Sequence, residues 1–184
     1  RIACPMTVNK IAGNLKDAGF SFSNETLYKY LSYLSDAFMI YAVEIYSKSE
    51  KIRLRNYRKI YCSDWSLANA VCYGEGIDET RALENIVYLE LHRRKFETNY
   101  YRTKDGYEVD FVVSEGKKIQ SLIQVCFSLS EPKVRQREFR ALLKSAEYLK
   151  TNELTVITFD EEGSEDIGDR KIRIVPAWKW LLGK

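Results

Sequence analysis

Two carboxylates and an amide stand at positions where a simple hairpin would bring them together. YEVDFVV, SEGKK and IQSLIQVCFSL read as two apolar strands joined by a tight turn. With the turn centred near Gly116 and Lys117, residues whose numbers sum to about 234 face one another, so Asp110 lies opposite Gln124. Cys126 comes two residues after Gln124 and points to the same side. Glu84, on the helix expected before these strands, can reach the same spot. A carboxylate in the middle of an apolar strand is costly to bury unpaired, so the partner Asp110 finds defines its chemistry. A plain ion pair across the sheet with Arg102 or Lys104 is one solution, and Glu84 has an alternative role in favouring the first turn of its helix. Glu108 is expected to face solvent or a neighbouring strand.

Other chemistries are excluded more simply. His92 is the lone histidine, so no triad can coexist with a second histidine site; its basic helical stretch reads as surface. Cysteines 4, 62, 72 and 126 form no CxxC pair, which argues against a zinc knuckle and for reduced, mostly buried thiols in a cytoplasmic protein. Gly116-Lys117 lacks the upstream glycine and the following Ser or Thr of a phosphate loop. No signal peptide or bilayer-length apolar run occurs, so no membrane partner is expected. A net charge of +3 is too mild to imply nucleic acid by itself. The opening RIACP, without an initiator Met, suggests a piece cut from a longer chain.

Around the carboxylates the pattern predicts a second module over residues 73–184. YGEGIDE is a connector, and TRALENIVYLELHRRK is a helix with Leu83, Val87 and Leu91 in one row, thickened by Ala82, Ile86 and Leu89. TNYYRT and the two hairpin strands follow, then the helix EPKVRQREFRALLKSAEYLK, the strand LTVITFDEEG, and a strand with an aromatic tail in KIRIVPAWKWLL. Trp178 and Trp180 are expected to be packing anchors. The order implies an αβ sandwich around a central mixed sheet.

Residues 1–72 form a first module. TVNKIAGNLKDA has Val8, Ile11, Ala12, Leu15 and Ala18 at helical spacing, with Gly19 as a stop. Ser23 or Asn24 caps a second helix, whose Leu27, Leu31, Leu34 and Phe38 share a face. MIYAVEIYS and RLRNYRKIYCSD read as a hairpin around the turn SKSEK. Two helices and a hairpin are the order of a winged helix. Lys29 on the second helix and Lys51, Arg53, Arg55, Arg58 and Lys59 on the wing are the expected DNA contacts, because residues 51–63 contain no acid. Inter-domain or protein contact is the alternative use of such a module.

Helix Glu84, strand Asp110 and then Gln124-Val125-Cys126 on the paired strand resemble the PD-(D/E)xK nuclease signature. LENIVYLEL, RTKDGYEVDF and IQVCFSL, with KIYCSDWSLANA upstream, resemble more particularly the C-terminal domain of unknown function (DUF 4143) of prokaryotic AAA+ ATPases. The resemblance implies a restriction-endonuclease-like fold for residues 73–184. It also implies Mg²⁺ held by Glu84, Asp110 and Gln124, and ATP only in an upstream AAA+ module that this chain lacks. Glu84, Asp110, Gln124 and Cys126 are then the catalytic positions, in degenerate form: Cys126 stands where the pattern has Lys, and a thiol is no substitute for a permanently charged ammonium. Arg102 or Lys104 are candidate spatial stand-ins. Three readings stay open: an accessory module binding nucleic acid or a protein partner over an inactive nuclease-like core, a Mg²⁺-dependent nuclease, and a purely structural interaction domain. Nothing in the sequence specifies an oligomeric state.

Overall fold

The computed structural model describes residues 3–66 and 78–183. Cys72, the 72/73 boundary, most of the YGEGIDE connector and the end of KIYCSDWSLANA lie outside the described residues. Strand β1 (Cys4–Met6) leads into helices α1 (Val8–Asp17) and α2 (Asn24–Asp36). Both helices start on capping hydroxyls: Thr7 accepts from the Lys10 N–H at 3.2 Å and Ser23 from the Thr26 N–H at 3.1 Å. Gly19 takes φ 87°, a conformation that suits glycine, just past the end of α1. Strand β2 (Ile40–Val43) pairs antiparallel with β3 (Arg58–Cys62), and β1 joins the other edge of β3.

The expected hairpin needs one correction. RLR does not continue the returning strand; residues Glu50–Arg55 form a short helix, α3. Glu50 in its first turn and Arg53 and Arg55 in its last suit the helix dipole, and these unbranched side chains favour a helix over a strand.

Helix α4 (Glu79–Arg93) opens the larger part. Strands β4 (Glu97–Arg102), β5 (Glu108–Glu115) and β6 (Lys118–Val125) form an antiparallel meander, and helix α5 (Pro132–Leu149) crosses to β7 (Leu154–Thr158), parallel to β6. Strand β8 (Gly163–Ile167), β9 (Arg170–Pro176) and the short helix α6 (Ala177–Leu181) end the described chain. The result is a six-stranded mixed sheet of order β4-β5-β6-β7-β9-β8. Strand β8, GSEDI, escapes the pattern reading because an edge strand can be mostly polar. The tail after β9 is helical. Trp180 packs beneath the Arg94 guanidinium, 4.6 Å from its ring centre, whereas Trp178 is 55% exposed.

Phe111 faces Ile123 and Val112 faces Leu122, so Asp110 and Gln124 are neighbours at the end of the β5/β6 ladder. One core lies under α4 and a second under α5, where Phe139, Leu142 and Ala146 meet Val112, Leu122 and Ile172. The α4 core is shared: Val43 and Tyr61 of the small sheet, with Ile45 just beyond β2, pack with Leu83, Val87, Phe111 and Val125. Backbone bonds reinforce the joint, from the Tyr46 N–H to the Tyr100 carbonyl at 2.6 Å and from the Tyr100 N–H to the Glu44 carbonyl at 3.1 Å. Buried Asn85 on α4 completes it, accepting from the Cys62 N–H at 2.8 Å and donating to the Cys62 carbonyl at 2.9 Å.

Candidate functional site: an acid cluster closed by a lysine

Asp110 is buried, and both of its oxygens are taken. Oδ2 accepts the Val125 backbone N–H at 3.0 Å, and Oδ1 accepts Lys59 Nζ at 2.8 Å. Lys59 belongs to β3 of the small sheet and is 2% exposed. Strand alternation explains this: Lys59 and Tyr61 point toward α4, while Arg58 points away to solvent. The same ammonium reaches Glu84 Oε1 at 3.1 Å and Glu108 Oε1 at 3.0 Å. Tyr61 donates its hydroxyl to Glu84 Oε1 at 2.7 Å. Tyr57 donates to Glu108 Oε2 at 3.0 Å and itself accepts from Arg102 at 3.1 Å.

The amide of Gln124 is committed elsewhere. Its Oε1 accepts the Asp110 N–H at 3.3 Å, and its Nε2 donates to Glu138 Oε2 on α5 at 2.7 Å. Arg137 holds the other oxygen of Glu138 at 2.8 Å. Glu84, Glu108, Asp110, Gln124, Arg137 and Glu138 together line an open cavity of about 350 Å³.

Electrostatics follow from burial and from the three-to-one ratio of carboxylates to ammonium. Burial alone would drive Lys59 toward its neutral form. Asp110, Glu84 and Glu108 overcome it and hold the ammonium well above its ordinary 10.5. Burial, with Asp110 adding to it, pushes Glu84 up from 4.5 to about 8, against the pull of Lys59 and the Tyr61 hydroxyl. The Cys126 thiol is pushed up to about 11, by burial first and Glu138 next, and is neutral.

The structure brings Glu84, Asp110 and Gln124 together and leaves Cys126 out. The Cys126 side chain packs in the α5 core and donates to the Ser128 carbonyl at 3.0 Å. Neither expected stand-in enters the cluster: Lys104 is exposed, and Arg102, also exposed, donates to the Tyr57 hydroxyl. Lys59 supplies the charge. Its expected phosphate contact is therefore corrected, since a buried ammonium with three carboxylate partners has no donor left for a phosphate. Arg58 pairs with Glu44 at 2.8 Å, Lys29 with Glu25 at 2.9 Å, and Arg53 donates to the Ser47 carbonyl at 2.6 Å. Lys51 and Arg55 are exposed and make no ion pair among the described residues. Glu108, expected to face solvent or a neighbouring strand, reaches Lys59 on β3 of the small sheet. The signal that reveals Lys59 is the alternation Tyr57-x-Lys59-x-Tyr61, which puts a lysine between two tyrosines on the packed side of a strand.

The Mg²⁺ that the nuclease resemblance implies does not fit this arrangement. Asp110 has both oxygens engaged, the Gln124 oxygen is spent on a backbone N–H, and an ammonium already sits between Glu84 and Asp110. Among the described residues, no three His, Cys, Asp or Glu side chains are arranged to hold a metal ion. Among them also, no helix is long and apolar enough to cross a membrane.

Fold and site thus define an α/β protein whose acid cluster is closed by a lysine from its own N-terminal sheet. Residues 79–180 match the family described as a domain of unknown function (DUF4143), and the chain belongs to that family. Residues 1–81 match a second family, also described as a domain of unknown function (DUF8612). The chain is 37% identical to an uncharacterised protein of Methanocaldococcus jannaschii, over 96% of this chain and 41% of that protein. It is 31% identical to an uncharacterised protein of Haemophilus influenzae, over 67% of this chain and 30% of that protein. The chain therefore spans less than half the length of these relatives. No solved structure matches it.

Proposed function

We propose that this chain is a non-catalytic accessory module of an AAA+ ATPase, in which a winged-helix-like part docks a protein partner and a nuclease-like core serves as scaffold. The observation that carries the reading is the Lys59 ammonium seated among Glu84, Glu108 and Asp110. Metal-assisted phosphodiester hydrolysis needs free carboxylate oxygens on an ion and a group that positions water. Here the oxygens are spent on the protein's own donors, and the thiol at Cys126 is neutral and turned into the core.

The outward faces of the N-terminal helices support the docking role. Helix α1 buries no residue and α2 buries only Leu27. Tyr28 and Tyr33 are 63% exposed, with Phe20, Phe22 and Tyr30 nearby on the same helical hairpin. Exposed aromatic clusters of this kind mark protein contact more than phosphate contact. The deciding experiment incubates the chain with plasmid, single-stranded DNA and RNA in Mg²⁺ and in Mn²⁺, beside Asp110→Ala. No cleavage is expected from either protein. Robust cleavage by the native chain that disappears in Asp110→Ala overturns the reading.

Nucleic-acid binding is favoured by one observation, the exposed Lys51 and Arg55 on α3, which have no ion pair among the described residues. Weak, sequence-independent DNA binding is the corresponding expectation. Each of Lys51→Ala and Arg55→Ala should flatten the salt dependence by roughly one unit of slope, because each removes one cation that neutralises a phosphate. Anisotropy measured across a salt series tests it; unchanged binding in the double variant removes this second reading.

A further inference from the structure

Strand β8 ends one side of the six-stranded sheet and pairs with β9 alone among the described residues. In an antiparallel pair alternate residues exchange hydrogen bonds, so every second N–H and C=O of β8 points outward from the sheet. Between this edge and helix α5 lies an open groove of about 600 Å³. We infer that the groove is a docking site for an acidic, extended segment of a partner protein, which adds to β8 as a further strand and sets its carboxylates against the cations of α5.

Charge and shape together select this occupant. Phe139, Leu143 and Ile167 give the groove an apolar floor continuous with the α5 core. Lys133, Arg135, Arg140 and Lys144 line it against one acid, Glu165. That acid is already held: the Arg135 guanidinium lies 4.9 Å from the Phe139 ring centre and its Nε donates to Glu165 Oε2 at 3.0 Å. Lys133 and Arg140 are exposed and make no ion pair among the described residues, and Lys144 meets the exposed Glu147 at 3.4 Å. Strand alternation turns Asp166, the other acid of β8, to the opposite face, where it stands across from Lys171 in the ladder. The groove therefore offers cations to an incoming acid and repels a basic one. A second copy of β8 is a poor occupant, because antiparallel pairing centred on Glu165 would set Glu165 against its own counterpart. A nucleic acid would meet the cations, but an apolar floor beside a row of unpaired strand amides and carbonyls matches a polypeptide.

The test uses the whole 184-residue chain and a fluorescein-labelled peptide, Glu-Thr-Val-Thr-Leu-Thr-Glu, whose glutamates and apolar residues share one face when extended. Fluorescence anisotropy is expected to show saturable binding to the native chain. Combining Lys133→Glu with Arg140→Glu should weaken it by about tenfold, since two attractive pairs become repulsive. Both side chains are exposed, so this double variant is expected to keep the native circular dichroism. A peptide with lysine in place of glutamate should not bind. N-methylation of alternate peptide amides should abolish binding in one phase and spare it in the other, because only one edge of the added strand faces β8. The proposal is overturned if the native chain does not bind the peptide, if the double variant binds it as tightly, or if both N-methylated phases bind alike. Loss of oligonucleotide binding in the double variant, with peptide binding unchanged, assigns the cations to nucleic acid. A dimer of the native chain that the double variant abolishes assigns the edge to a second copy. Either result also overturns the proposal.

Discussion

The two ends of the chain use the same kinds of residue in opposite ways. In the larger part, α4 buries seven residues and α5 buries six, and β5 is covered along nearly its whole length. In the N-terminal part, α1 buries none and α2 buries one, although both carry the helical spacing of an amphipathic face. Yet the N-terminal sheet supplies Lys59 and Tyr61, two of the most deeply buried side chains in the molecule. The small sheet is thus bound into the body of the protein, while the helices it carries remain open. Amphipathic spacing shows that a helix face wants a partner; it does not say that the partner is in the same fold.

If the small sheet and the α4 core are one cooperative unit, truncating the core they share should unfold both together. Phe111 packs 5.7 Å from the Tyr61 ring centre and 6.3 Å from that of Tyr88. Phe111→Ala is expected to cost about 3–5 kcal/mol and to leave a single unfolding transition by circular dichroism and by tyrosine fluorescence. Two separated transitions would break the comparison at its root.

Asn85→Ala attacks the joint without touching the core. It leaves the N–H and the carbonyl of Cys62 buried and unpaired, which should cost about 2–4 kcal/mol. Native-state hydrogen exchange should show protection falling first in β2 and β3. Equal loss throughout the large sheet would mean that Asn85 is not specific to the joint.

The charge of the cluster gives a pH signature. Between pH 4.5 and about 8 the unfolded chain loses the Glu84 proton and the folded chain keeps it. Unfolding then releases a proton, so Glu84 lowers stability as pH rises through that window. Glu84→Gln should lessen the decline measured by urea unfolding at pH 5 and pH 8. An unchanged slope would show that the carboxylate titrates as it does in water.

The smallest effect is expected where the helices are open. Phe38 is 71% exposed and holds φ at 56°, a strained conformation for a residue with a Cβ. Phe38→Gly should leave stability the same or raise it by about 0.5–1 kcal/mol, because relief of strain outweighs the little packing this exposed ring supplies. A loss above 1 kcal/mol would mean that the N-terminal helices pack more tightly than their exposure indicates.

The elements that rest on local physics were legible in the sequence. Apolar spacing located α1, α2, α4 and α5, with a cap at Ser23 or Asn24 for α2 and the Gly19 stop for α1, and alternation with the Gly116 turn set the register that makes Asp110 and Gln124 neighbours. Local pattern misled where polar residues are inside. The buried face of α4 includes Glu84, Asn85 and Tyr88 and leaves Ile86 41% exposed, because those polar groups find partners on β3 that no helical period reports. Alternation between Tyr57 and Tyr61 marks Lys59 as inward-facing, but which acids it meets was decided by tertiary structure. Lys59 lies 25 residues from Glu84 and 51 from Asp110, on a strand of a different sheet. In isolation, a lysine among arginines reads as a solvated basic stripe. Packing β3 against α4 turned its alternate side chains inward, and only three carboxylates waiting there make burying an ammonium affordable.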